Sequence, residues 1–273
     1  PTLADLAGVS TVPGPLDGES LAPIFRGERD SLDDRMLVIN YSRMPQFKVS
    51  YTQGNPAIPM KDGAGVLWRK WRLLENRELY DVESDPHQDH DVASQHPEIV
   101  AAMRAHLDRW WDGVRGNVMK PQRVVIGHEA ENPMLLTACE WLDVFVDQQI
   151  QIRAGELKNG TWHLRVARDG DYRLELRRWP RESELALRAG LPETKVTDGT
   201  FPRGKPLPIA SATVTIGDAS RRLEPDGDGR SFTTIFPLAA GEIELQTTFL
   251  DERGEPLCGA YYVYVERLGR KLD

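Results

Sequence analysis

Residues able to do chemistry crowd into one short stretch of this 273-residue chain, between Glu83 and His96. Asp85, His87, Asp89, His90 and Asp91 set carboxylates and imidazoles almost side by side, the donor types that hold divalent cations. Ligands this close in sequence, on a loop that contains Pro86, mostly point outward. The same residues therefore also read as a turn that caps and orients a following helix. Asp226-Gly227-Asp228-Gly229 has the alternation of part of a calcium loop. It lacks the further spaced carboxylates and the closing glutamate of an EF-hand, and reads as a hairpin turn. In Arg177-Arg178-Trp179-Pro180-Arg181, Trp179 could stack on a sugar while Arg178 pairs with a sulfate, since the guanidinium fork matches oxyanions. The alternative is a strand end whose Trp is core and whose arginines are solvated or face another domain. Trp68-Arg69-Lys70-Trp71-Arg72 interleaves base and aromatic as single-strand binders do. A formal charge of -8 argues against a nucleic-acid surface, and a hairpin with one buried face is the competing reading.

The elements that must carry these residues follow from spacing. Residues 71–74 and 78–82 read as strands around a polar turn at Glu75-Asn76-Arg77. After the acidic loop, Ser94 or His96 opens a helix with Pro97 in its first turn, where a missing N–H is harmless. Ile99, Val100, Met103, Leu107, Trp110, Trp111 and Val114 recur at helical spacing. Upstream, residues 1–8 form a helix with Leu3, Leu6 and Ala7 inward, and Ser20 caps a short helix that reaches Phe25. Residues 36–41 are a continuous apolar run, the pattern of a strand buried on both faces. A long polar loop spans residues 46–63, and residues 65–74 are strand-like with a tight turn near Arg69-Lys70. Together these predict a three- or four-stranded antiparallel sheet under a long helix.

Past residues 113–122, read as a linker, the pattern changes to short strands at 123–126, 161–167, 172–177, 209–216, 231–237, 242–249 and 260–266. Turns stand between them at Asp169-Gly170, Asp226-Gly229 and Arg253-Gly254. The predicted class is α+β: a small antiparallel sheet with a long packed helix over residues 1–118, then an all-β, jelly-roll-like sandwich over 119–273. No run is long enough to span a bilayer. Cys139 and Cys258 either bridge within the second domain or remain buried thiols.

A family resemblance rests on three blocks in order. Glu78-Leu79-Tyr80-Asp81-Val82-Glu83-Ser84-Asp85-Pro86, continued by Gln88, Asp91, Val92 and Ala93, resembles a segment near the end of the sulfatase core. Pro1 to Gly8 resembles the family's helix. Leu16-Asp17-Gly18-Glu19-Ser20-Leu21-Ala22-Pro23, with Arg26-Gly27-Glu28, resembles its Asp-Gly-x-Ser-Leu-x-Pro turn. The likeness covers about residues 1–115 and points to bacterial arylsulfatases and carbohydrate sulfatases.

The resemblance implies an enzyme in which a hydrated formylglycine attacks sulfur beside a Ca²⁺ ion. Neither Cys139 nor Cys258 lies in the C/S-x-P/A-x-R context that formylglycine needs, and no serine does. Both the nucleophile and the metal are therefore expected upstream, with no catalytic or metal-ligating residue here. The chain reads as the C-terminal piece of a larger sulfuric ester hydrolase, inactive by itself. Its expected partners are the N-terminal catalytic domain of the same protein and a sulfated carbohydrate, with no nucleic acid and no membrane. The family suggests a periplasmic or secreted location. In sulfatases this subdomain abuts the catalytic domain, so Asn40, Arg43 and Lys61 are candidates for the rim of the substrate pocket, with an interdomain salt bridge as the alternative for Arg43. Leu3, Leu6 and parts of residues 36–39 are expected to be unusually accessible. The rival reading is a non-catalytic carbohydrate-binding or scaffolding module, which calls for exposed aromatics on one sandwich face.

Overall fold

The computed structural model describes residues 1–9, 14, 16–40, 59–120, 122–142 and 144–269. The chain forms two units, one of Pro1–Asn40 with Lys61–Trp111 and a second that includes everything from Asp112 onward.

The first unit holds an antiparallel sheet in the order β1 (Leu37–Ile39), β2 (Gly65–Trp68), β3 (Trp71–Leu74), β4 (Glu78–Asp81). The β3–β4 turn places Glu75 and Asn76 at φ 49° and 55°. The loop has three residues, since Leu74 pairs with Glu78, and its first two form a tight turn at positive φ closed by the Arg77 amide on the Leu74 carbonyl at 2.9 Å. Arg104 steadies this turn by donating to the Asn76 carbonyl at 3.0 Å. Val66, Leu73 and Leu79 alternate onto one sheet face and are fully buried. Against them pack Val100, Met103 and Leu107 of α3 (Pro97–Val118), spaced three and four residues apart so that they share one helix face. Burying each such side chain contributes about 1.5–3 kcal/mol. The upstream helices are short: α1 (Thr2–Leu6) and α2 (Ala22–Phe25).

In the second unit, two sheets share one apolar core. The larger runs β12 (Ala219–Leu223), β11 (Ser211–Ile216), β14 (Gly241–Leu250), β7 (Thr161–Val166), β5 (Val124–Ile126), with β15 (Pro256–Cys258) also on β14. The smaller runs β13 (Phe232–Leu238), β8 (Gly170–Arg177), β16 (Tyr262–Arg267), β6 (Met134–Thr137). Neighbours such as β7 and β14, or β8 and β16, are remote in sequence, the mark of Greek-key connections. A further helix, α4 (Gln149–Ala154), precedes β7, and a separate ribbon pairs β9 (Thr194–Val196) with β10 (Gly199–Phe201). Cys139 and Cys258 are not joined in a disulfide. Cys139 is exposed, and burial pushes the Cys258 thiol up to about 11.

Several expectations are corrected. The α+β class fails: sixteen strands in four sheets make the chain mostly β, and of the four α-helices among the described residues only α3 exceeds six residues. The second half departs from the jelly-roll-like sandwich expected for 119–273: β5 pairs parallel to β7, and the β9–β10 ribbon forms its own sheet. The linker expected at 113–122 is largely helix, since α3 carries Gly113 and Gly116 through to Val118. Glycine inside a helix costs only about 1 kcal/mol, which the rest of the helix can offset. Within the described part of the 36–41 run, residues 36–40, only Leu37–Ile39 is strand; among the described residues it ends the sheet, and Leu37 and Ile39 are exposed rather than covered on both faces.

Candidate functional site

The acidic loop uses its carboxylates on its own backbone. Asp81 takes Lys70 Nζ at 2.7 Å and the Glu83 amide at 3.2 Å. Asp85 accepts from the amides of Asp89 (3.1 Å) and His90 (2.9 Å). Asp91 accepts from the amides of Leu79 (3.0 Å) and Ala93 (2.9 Å), joining β4 to the entry of α3. The His90 amide, the largest favourable influence, holds the Asp85 carboxyl below the usual carboxylate range, and Lys70 does the same for Asp81. Tyr80 donates to Glu78 at 2.9 Å, and desolvation raises its hydroxyl to about 12. Among the described residues no group of three or more His, Cys, Asp or Glu gathers to hold a metal ion. The donor set for a divalent cation is thus not assembled by these residues.

The upstream blocks are tied together in the same way. Ser20 Oγ donates to Asp5 at 2.7 Å, Arg26 donates to the same carboxylate at 3.1 Å, and Thr2 Oγ1 accepts the Leu21 amide at 3.0 Å. The polar residues that carry the family resemblance are therefore locks between segments.

The other candidates are scattered. Arg43 lies outside the described residues. Asn40 follows β1 and is half-buried. Lys61 forms an ion pair with Asp108 of α3. Arg69 and the Trp68 indole are both held by Asp34, at 2.6 and 3.1 Å, and Lys70 by Asp81, so two of the three cations in this cluster are paired with acids. Asp226 accepts from Ser231 Oγ (2.6 Å) and Thr233 Oγ1 (2.8 Å), which makes its loop a turn. Arg178 and Trp179, candidates for sulfate and sugar, are enclosed at 0% and 3% exposure. Their donors go to main-chain carbonyls, with Arg178 and Trp179 each 3.1 Å from the Ala189 oxygen. Neither is presented to a ligand.

What the first unit does present is apolar. Pairing registers align Leu37, Leu67, Arg72 and Tyr80 in one cross-strand row, and Ile39, Gly65, Leu74 and Glu78 in the next. This is the sheet face opposite α3. A sheet with one solvated face normally alternates to polar residues there. Here Leu37 is 45% and Ile39 58% exposed, with Leu67 and Leu74 half-buried beside them. Leu3 and Leu6 are exposed as expected, at 82% and 47%. Phe25, at 66%, went unnoticed in the sequence because it sits in a plausible helix end. The Leu67–Leu74 row was legible only through the pairing register.

The second unit spends its aromatics internally. Trp141, Trp162, Tyr172, Phe232, Phe249 and Tyr261 are all fully buried, and Trp141 lies edge-on to Trp162 at 5.2 Å. No stacked aromatic platform stands on either sheet among the described residues.

No family model and no curated protein matches the chain. Among solved structures, a ruminal GH26 endo-β-1,4-mannanase is similar over 54% of this chain and 29% of its own, at 11% identity and TM-score 0.31. Protein YxiM from Bacillus subtilis is similar over 40% of this chain and 22% of its own, at 14% identity and TM-score 0.22. The chain thus spans less than a third of either relative, and likeness at this level carries no argument about fold or activity. No helix among the described residues is long and apolar enough to cross a membrane.

Proposed function

We propose that residues 1–273 are the C-terminal portion of a sulfatase, an enzyme that hydrolyses sulfate esters, with carbohydrates as the substrate class the family resemblance favours. The observation that supports this reading is the exposure of Leu37 and Ile39 at one side of the first unit's sheet, beside the half-buried Leu67 and Leu74. Apolar faces of this kind mark interfaces. A catalytic domain of the same polypeptide, packed on that face, is the cover the reading requires. The residues that carry the resemblance, Asp5, Ser20, Arg26, Asp85 and Asp91, hold their own segments in shape.

No step of the hydrolysis is assigned to this chain. Neither cysteine stands in a formylglycine context, and the described carboxylates do not assemble a cation site. In this reading the second unit is a support with an aromatic core. The reading is tested by the coding sequence upstream of Pro1. A C/S-x-P/A-x-R motif with accompanying metal-binding aspartates is expected there, and an unrelated domain would end the proposal.

A further inference from the structure

Of Arg69, Lys70 and Arg72, Arg72 alone meets no acid among the described residues. The acids near it are already taken. Asp34 holds Arg69 and Asp81 holds Lys70. Glu78, diagonally across on β4, holds Arg77 at 2.9 Å and accepts the Tyr80 hydroxyl at 2.9 Å. Residues 41–58, which follow β1 in the chain, contain neither Asp nor Glu. The guanidinium therefore has no counter-charge within reach of its own sheet.

Its setting is apolar. Arg72 is half-buried on the sheet face opposite α3, with Leu67 across from it on β2 and Tyr80 across from it on β4. Leu37 continues the same row beyond Leu67. In the next row Leu74 leans over Gly65, where an added Cβ would lie 3.3 Å from its Cδ2, so no side chain separates it from Ile39. Arg72 is thus the cation set among Leu37, Ile39, Leu67 and Leu74, two of which are exposed. A solvated guanidinium needs no partner. One that is covered together with apolar neighbours does, because a buried charge without its counter-charge is strongly destabilising.

We propose that Arg72 is the polar anchor of the interface on this face, and that the polypeptide upstream of Pro1 sets a carboxylate against it; the proposal rests on the reading that a domain of the same protein covers the face. The guanidinium fork grips a carboxylate through two parallel N–H···O bonds. Apolar contacts are non-directional, so this pair is what fixes how the covering surface is oriented over the leucines.

The test is amide hydrogen exchange at Leu37–Ile39 in the polypeptide that extends upstream of Pro1 and in residues 1–273, each as wild type, Arg72→Met and Arg72→Lys. Exchange there reports the opening of this face. The expected result is slower exchange in the longer wild-type protein, accelerated about 100-fold by Arg72→Met, which leaves the partner carboxylate covered and unpaired. Arg72→Lys keeps the charge and should lose less. In residues 1–273 all three should exchange alike, which also shows that the variants fold. Exchange in the longer protein that is no slower than in residues 1–273, that ignores Arg72→Met, or that suffers as much from Lys as from Met would overturn the anchor. So would an equal loss from Arg72→Met in both proteins, the mark of a role internal to the sheet. Each of these outcomes leaves the sulfatase reading to the upstream nucleophile motif. An upstream sequence without that motif would remove the reading while leaving a measured Arg72 effect intact.

Discussion

Replacing Leu37 and Ile39 together with threonine separates a surface that awaits a partner from one that is merely imperfectly packed. Threonine keeps the β-branched preference for strand, so β1 should still form. Within the chain the two side chains are 45% and 58% exposed. Such surface substitutions usually change stability by no more than about 0.5 kcal/mol each. Full burial of a leucine or isoleucine stabilises by about 1.5–3 kcal/mol, and roughly half of that remains unrealised at each position. Threonine would recover part of it. Covering the pair should therefore be worth about 1.5 kcal/mol less in the variant, close to tenfold in Kd. Thermal unfolding of the 273-residue chain provides the first readout, with Leu73→Ala as a control. Leu73 is fully buried, and its truncation should cost about 2–5 kcal/mol. Titration with the separately produced upstream domain provides the second. A double variant as unstable as Leu73→Ala, or one that binds the upstream domain as tightly as wild type, would refute the assignment of this face.

Other positions make sharper claims about the fold. Gly127 sits at φ 73°, and a Cβ there would lie 2.6 Å from Tyr172 Cε1, so Gly127→Ala should cost about 3 kcal/mol in a denaturant titration; an unchanged midpoint would contradict that packing. Arg178→Met leaves the Lys205 carbonyl without its side-chain donor and the Ala189 carbonyl with Trp179 alone, and should destabilise by about 1–3 kcal/mol. It should also open residues 178–210 to trypsin before the sheets are cut, and an unaltered digestion pattern would count against the tie that Arg178 makes across them. Asp81 and Asp85 have folded pKa values below 3.8, so their contribution is complete above about pH 4 and is lost as pH falls through the folded values. Asp85→Asn should flatten the acid limb of stability against pH between roughly 5 and 2; an identical slope would show that the Asp85 lock is not formed.

Particular residues show what could be read beforehand. Pro97 announced the start of α3, and Val100, Met103 and Leu107 announced its buried stripe, because helical period and a missing N–H are local properties. The edge position of β1 was not local. An apolar run looks the same whether its neighbours flank it or stop short, and only pairing decides. The overall class was misjudged for a related reason. One amphipathic helix gives a strong signal, while strands of three residues such as β9, β10 and β15 are too short for alternation to register. Trp179 is core, as one of its two readings had it, whereas Arg178 is neither solvated nor turned to a ligand. Arginine is almost never fully buried unless paired, so Arg-Arg-Trp suggested a ligand site. The partners turned out to be carbonyls on an arm whose fold depends on those arginines. For Asp85 and Asp91 the hydrogen bonds follow the turn reading, a loop that orients the helix entry, although the particular amides could not be named from the sequence.

Sulfate release from a small aryl sulfate bears most directly on the sulfatase assignment. It should be measured on the purified polypeptide that extends upstream of Pro1 and, in parallel, on residues 1–273 alone. The account predicts turnover by the longer protein, abolished when the residue at the nucleophile position is replaced by alanine, and none by the 273-residue chain. Turnover by residues 1–273 alone, or none by a longer protein that is folded and carries the formylglycine, would contradict it.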